Sequence, residues 1–175
     1  MRSLAAPTAL LALAVAAGGC SLFDRSHEDE PAPTIPLPVP PPPPATSVFN
    51  LHRSSDDNAN VIIEKVTLEP TATTVEMSYT NAGRTGTEIM LAPPGDPEVM
   101  FLEAGAARAK LRSADGIATL PSRTKVAPGE TKTFTIVFDP LPPGTRTFDL
   151  YEGEQGKMAK IGGGSFWVFR GVKLQ

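Results

Sequence analysis

From residue 47 onward the apolar residues recur at alternate positions, in short runs divided by Gly, Pro, Asn and Asp. A period of two belongs to strands half-buried against a core, whereas a helix would repeat every three or four residues. Val61–Leu68 predicts a first strand, closed by Glu69-Pro70. Thr73–Thr80 predicts a second, with Val75, Met77 and Tyr79 on one face and Thr74, Glu76, Ser78 and Thr80 on the other; Asn81-Ala82-Gly83 ends it. Thr87–Leu91 stops at Pro93-Pro94-Gly95, and Val99–Leu102 with Ala107–Arg112 predicts a hairpin before the turn Ala114-Asp115-Gly116. Pro128-Gly129 has the order a β-turn prefers and launches Thr131–Phe138, with Phe134, Ile136 and Phe138 sharing a face. After Leu141-Pro142-Pro143-Gly144, Thr145–Tyr151 turns Phe148 and Leu150 inward.

A glycine-rich loop separates that strand from Ser165–Leu174. Alternation there puts Phe166, Val168, Val172 and Leu174 on one face, and Trp167 and Phe169 on the other. A strand apolar on both faces near its start is expected to be central or covered at an end. Seven to nine strands over residues 47–175, without a helical period, predict an all-β fold: an immunoglobulin-like antiparallel β-sandwich. No disulfide can pin its sheets, because Cys20 is the chain's one cysteine.

The first 46 residues follow other rules. Arg2 precedes an apolar stretch, Ala9–Ala17, and small residues lead to Cys20, which is the order of a secretory signal over residues 1–19. The stretch is far short of the roughly 20 apolar residues a spanning helix requires. Residues 20–46 carry no pattern a core could use. Their segment PAPTIPLPVPPPPP, residues 31–44, predicts a Pro-rich disordered tether in polyproline II, reaching roughly 40 Å at about 3.1 Å per residue.

The segment Ala17-Gly18-Gly19-Cys20 resembles the lipobox of bacterial lipoproteins, departing from it at Ala17, where Leu is commoner. The resemblance implies a diacylglyceryl thioether on Cys20, cleavage before it, and a membrane held through acyl chains. One acyl chain binds only marginally, so a stable anchor needs two or three. Ser21 in place of Asp implies the outer membrane rather than the inner. The succession FLEAGAARAKLRSADGI, VAPGETKTFTIVFDPLPPGTRTFDLYEG and FWVFRGVKL resembles, over about residues 60–174, a group of uncharacterised immunoglobulin-like envelope domains. For that group no catalytic residues carry over.

Charge and chemistry change the picture little. The formal charge is −3, and Asp24, Glu28, Asp29 and Glu30 crowd ahead of the prolines. No basic cluster suggests nucleic acid. His27 falls in the tether and His52 at the domain's edge, so neither a Ser/His/Asp triad nor a multi-histidine metal site is expected, and no catalytic residue is assigned. Asp139, Asp149 and Glu152 sit beside turns and read as solvated carboxylates. The oxygen-rich Asp56-Asp57-Asn58-Ala59-Asn60 lacks the Gly and distal Glu of a calcium loop, and Met77 reads as core, so no metal or cofactor is expected.

Gly153-Glu154-Gln155-Gly156-Lys157 lacks Walker spacing and reads as a loop able to touch a partner through Gln155, Lys157 and Lys160. The expectation is thus a non-enzymatic, lipid-anchored protein facing the periplasm, with another envelope protein as its partner. The alternative partner is peptidoglycan or a surface polysaccharide.

Overall fold

The computed structural model describes residues 45–159 and 166–175. Residues 1–19, expected to be a signal segment, the lipobox-like Ala17, Gly18, Gly19 and Cys20, the proline run 31–44 and Lys160 lie outside the described residues. Everything described belongs to one compact unit, Pro41–Gln175.

Ten strands and one short helix are described: β1 Ser47–Ser54, β2 Val61–Leu68, β3 Thr73–Thr80, β4 Thr87–Ile89, β5 Met100–Ala104, β6 Ala107–Asp115, β7 Thr124–Val126, β8 Thr131–Phe138, β9 Thr147–Glu152, α1 Gly153–Met158 and β10 Val168–Lys173. Eight strands join in the order β1-β2-β3-β8-β6-β5-β9-β10, all antiparallel, and β4 pairs with β7 as a separate ribbon. The runs β2-β3-β8-β6 and β5-β9-β10 reproduce the two sheets of a constant-type immunoglobulin sandwich, with β1 added outside β2.

One strand serves both sheets. The first half of β6 pairs with β5 (Phe101 opposite Lys110), and its second half pairs with β8 (Leu111 opposite Phe138). The register shifts between Leu111 and Ser113, and such a bulge lets a strand bend from one sheet into the other. The inward residues of both sheets, including Val61, Met77, Met100, Leu102, Phe138 and Leu150, form a single buried cluster. Trp167 joins it, stacked 5.5 Å from Phe134 and 6.2 Å from Tyr79 between ring centres.

The turns behave as their residues require. Glu130 N–H donates to the Ala127 carbonyl at 3.0 Å around Pro128-Gly129, with Gly129 at φ +74. Thr145 N–H donates to Pro142 at 3.1 Å around Pro143-Gly144, with Gly144 at φ +79. Pro followed by a left-handed Gly defines a type II turn.

Two expectations need correction. The segment 153–158 is not a loop but a short helix, too brief to display a period. The last strand, expected to be central or covered at an end, is an edge strand covered at its start, where Trp167, Val168 and Phe169 are all buried. Val168 and Val172, however, do not share a face. Register shifts between Phe169 and Val172, where Gly171 takes φ +61, so Phe169 and Val172 both enter the main core while Val168 points away from it. One inserted residue reverses the alternation of everything after it. The sequence also left β1 unassigned, because its exposed edge and its own bulge between Asn50 and Arg53 break the pattern.

Candidate functional site

Three strands carry an apolar residue on the outward face of their sheet. Phe101 on β5 lies opposite Tyr151 on β9, and Tyr151 lies opposite Val168 on β10. These three, with the half-buried Phe166, form a second buried cluster separate from the main core. The rings of Phe101 and Tyr151 are 5.6 Å apart and tilted by 43°. What keeps water off this pad is a set of cationic side chains together with α1.

Arg108, on β6, lays its guanidinium 3.9 Å from the centre of the Phe101 ring. Its Nη2 donates to Glu103 Oε1 at 2.7 Å, and its Nη1 to Glu154 on α1. Lys157, also on α1, donates to both Glu103 oxygens at 2.8 and 2.7 Å and sits 5.8 Å from the Tyr151 ring centre. Arg170, on β10, lies 5.8 Å from the same ring and donates to the Ala159 carbonyl at 3.1 Å. Cations over aromatic faces gain from the ring quadrupole, most where water is excluded.

The protonation states follow from these contacts. Burial alone would raise the Glu103 carboxyl, but hydrogen bonds from Lys157 and Arg108 outweigh it and hold its pKa below the ordinary value. Hydrogen bonds to Glu154 and then Glu103 raise Arg108. Burial pushes the Tyr151 phenol up, and its donation to Asp149 Oδ2 at 3.1 Å adds to the shift. At neutral pH Arg108 therefore presents a fixed guanidinium, Glu103 a carboxylate and Tyr151 a neutral phenol.

Behind the pad lies a half-buried acid. Glu152 Oε2 accepts from Trp167 N–H at 2.7 Å, while burial and then the nearby Glu98 charge raise its pKa. Gly153, at φ +69, turns the chain from β9 into α1 so close to Glu98 that a Cβ would meet its Oε2 at 2.3 Å.

Of the loop residues expected to touch a partner, Gln155 is exposed on α1. Lys157 is exposed but tied to Glu103. Asp149 and Glu152, read as solvated turn carboxylates, are in fact structural acceptors: Asp149 receives Gly171 N–H at 2.6 Å and the Tyr151 hydroxyl. Asp139 pairs with Arg112 at 2.7 Å and stays at the surface. Asp56 pairs with Arg53 and accepts Arg170 N–H at 2.7 Å. Among the described residues no group of three or more His, Cys, Asp or Glu side chains gathers around a point.

His52 reaches a hydroxyl only through an acid. Its Nδ1 lies 3.0 Å from Glu64 Oε2, while Glu64 Oε1 accepts from Ser78 Oγ at 2.7 Å. A nucleophile needs the imidazole between hydroxyl and carboxylate, and here the carboxylate is in the middle.

The aromatic and cationic pad itself was missed. Its signal is present in the sequence: Met100-Phe101-Leu102 and Trp167-Val168-Phe169 are unbroken apolar runs, which call for cover on both faces. Protein-family models, curated proteins and solved structures were all compared with the chain, and none matches.

Proposed function

We propose that this is a non-enzymatic lipoprotein, held by acyl chains on Cys20 at the periplasmic side of the outer membrane, that presents its sandwich for contact with another envelope protein. The observation that carries the contact reading is the pad on the β5-β9-β10 sheet. Arg108 is stacked on Phe101 and clamped by Glu103 and Glu154, so it is pre-positioned and has little rotamer freedom left to lose on binding. Arginine and aromatic side chains are the residue types enriched at protein interfaces, and carboxylates around them supply a polar rim. Protein is favoured over a glycan because the aromatics a sugar platform would expose are covered: Trp167, in the main core, is 8% exposed, and Tyr151, beneath Lys157 and Arg170, is 6% exposed.

The contact is tested in living cells with the full-length chain. A photoreactive residue at Gln155 is expected to trap a discrete protein adduct, and one at the exposed Lys125 on β7 is not. Adding Arg108→Ala is expected to weaken the Gln155 adduct severalfold. Reproducible failure to form an adduct at Gln155, or equal adducts from both sites, would count against this surface. The anchor is tested separately: Cys20→Ala is expected to move the protein into the soluble fraction, and a variant that still pelleted with membranes after a high-salt wash would refute the lipid attachment.

A further inference from the structure

At the end of the sandwich where β1 begins, the main core is left open as an apolar groove of about 550 Å³. Leu68, Pro70, Pro140, Leu141, Pro142 and Pro143 form its walls, and Glu69 is the one ionic residue among those that line it. The walls are rigid. Leu141 N–H donates to the fully buried Thr73 Oγ1 at 3.0 Å, Asp139 N–H donates to the Lys110 carbonyl at 2.8 Å, and the Pro143-Gly144 turn closes on Thr145. Leu141 belongs to the main core and the half-buried Leu68 packs against it, so whatever fills the groove extends that core to its end.

The chain's own path indicates the occupant. Ala45 and Ser47 are part of the groove's lip, and the residues immediately before Ala45 are Pro41-Pro42-Pro43-Pro44. We propose that the groove seats Pro41–Pro44 of the same chain. Four residues of polyproline II extend about 12 Å at about 3.1 Å per residue, so they need no turn or loop to lie along a site that begins at Ala45. Their chemistry matches the walls. Proline brings an apolar ring and no N–H donor, so a proline run can be covered on one side without leaving a buried donor unpaired, while its carbonyls remain toward water. A groove with a single carboxylate offers little to a charged peptide and much to such a run. The domain then has a fixed joint, and the spacer proper ends before Pro41.

The test uses the full-length chain in detergent micelles, with methyl-labelled Leu, Val and Ala observed by NMR. Replacing Pro41–Pro44 by Gly-Ser-Gly-Ser is expected to shift the Leu68 and Leu141 methyls and remove proline-ring cross-peaks to them. Val61, at the far end of β2, should not move. Unchanged Leu68 and Leu141 signals would overturn the proposal. So would signals that shift with protein concentration, which would make a second copy the occupant. The anchor reading stands or falls independently, since the replaced chain keeps Cys20 and its membrane fractionation reports on the anchor alone.

Discussion

At the scale of single residues, the junction of β9 and α1 is the most constrained point in the domain. Gly153 has φ +69, where side chains are strained, and a Cβ there would lie 2.3 Å from Glu98 Oε2 and 2.7 Å from Glu98 Cα. The carboxylate could swing away, but the backbone atom could not. Gly153→Ala should therefore destabilise by about 2 kcal/mol or more, combining left-handed strain with the clash, and urea unfolding would measure it. The adjacent Glu152 gives a pH signature. Its pKa is raised above the ordinary 4.5 by burial first and by Glu98 second, so the folded state holds the proton more tightly than the unfolded one. The resulting stability is present in full below the unfolded value and is lost as pH rises through the folded value. Glu152→Gln, which keeps an acceptor for Trp167 N–H, should remove this decline. The variant's stability should fall less steeply than the parent's from about pH 4.5 upward. Parallel slopes in denaturant titrations across that range would refute the assignment.

At the scale of elements, α1 packs through Gly156, which is buried against Phe166. A Cβ at 156 would lie 3.5 Å from the Phe166 Cβ, ordinary van der Waals contact, and the backbone there does not need glycine. Gly156→Ala should accordingly stabilise by roughly 0.5–1 kcal/mol through helix propensity. Gly156→Leu has no room and should lift α1 from the pad, raising amide exchange in 153–158 and exposing Tyr151 to quenchers. Equal behaviour of the two variants would mean that α1 does not pack as described. Elements also show where sequence reading succeeds. β3 and β8 were legible because each is paired on both sides with one face on the core, so Val75, Met77, Phe134, Ile136 and Phe138 keep strict alternation. β1 was not, and β10 was legible as a strand but not in its faces, since both are edges bent by bulges and an inserted residue shifts the period that assigns faces. The site was legible only as a place. Gln155 and Lys157 do lie at it, but Arg108, Glu103 and Phe101 come from a hairpin some fifty residues earlier, joined to them only by the β5–β9 pairing.

At the scale of the whole domain, β6 ties the two sheets together, pairing with both β5 and β8. Two sheets without a disulfide could open independently, yet here one strand supplies hydrogen bonds to both, and a single buried cluster fills the space between. Ile136 sits where these dependencies meet: it is fully buried, opposite Val75 on β3 and opposite Ala114 on β6. Trp167, the chain's one tryptophan, comes from the other sheet's side at the start of β10 and packs on Phe134 of β8. Its fluorescence therefore reports sheet-to-sheet packing, whereas far-UV circular dichroism reports the strands themselves. If the shared strand makes the two sheets one cooperative unit, the transitions seen by both probes in urea must coincide. Ile136→Val, which removes one methylene from the core, should then lower stability by about 0.5–1.5 kcal/mol and move both transitions together, although Trp167 and Ile136 belong to different sheets. A tryptophan transition that precedes the loss of strand signal, or one that ignores the Ile136 substitution, would mean that the β5-β9-β10 sheet detaches first and that the crossing at Leu111–Ser113 acts as a hinge rather than a weld.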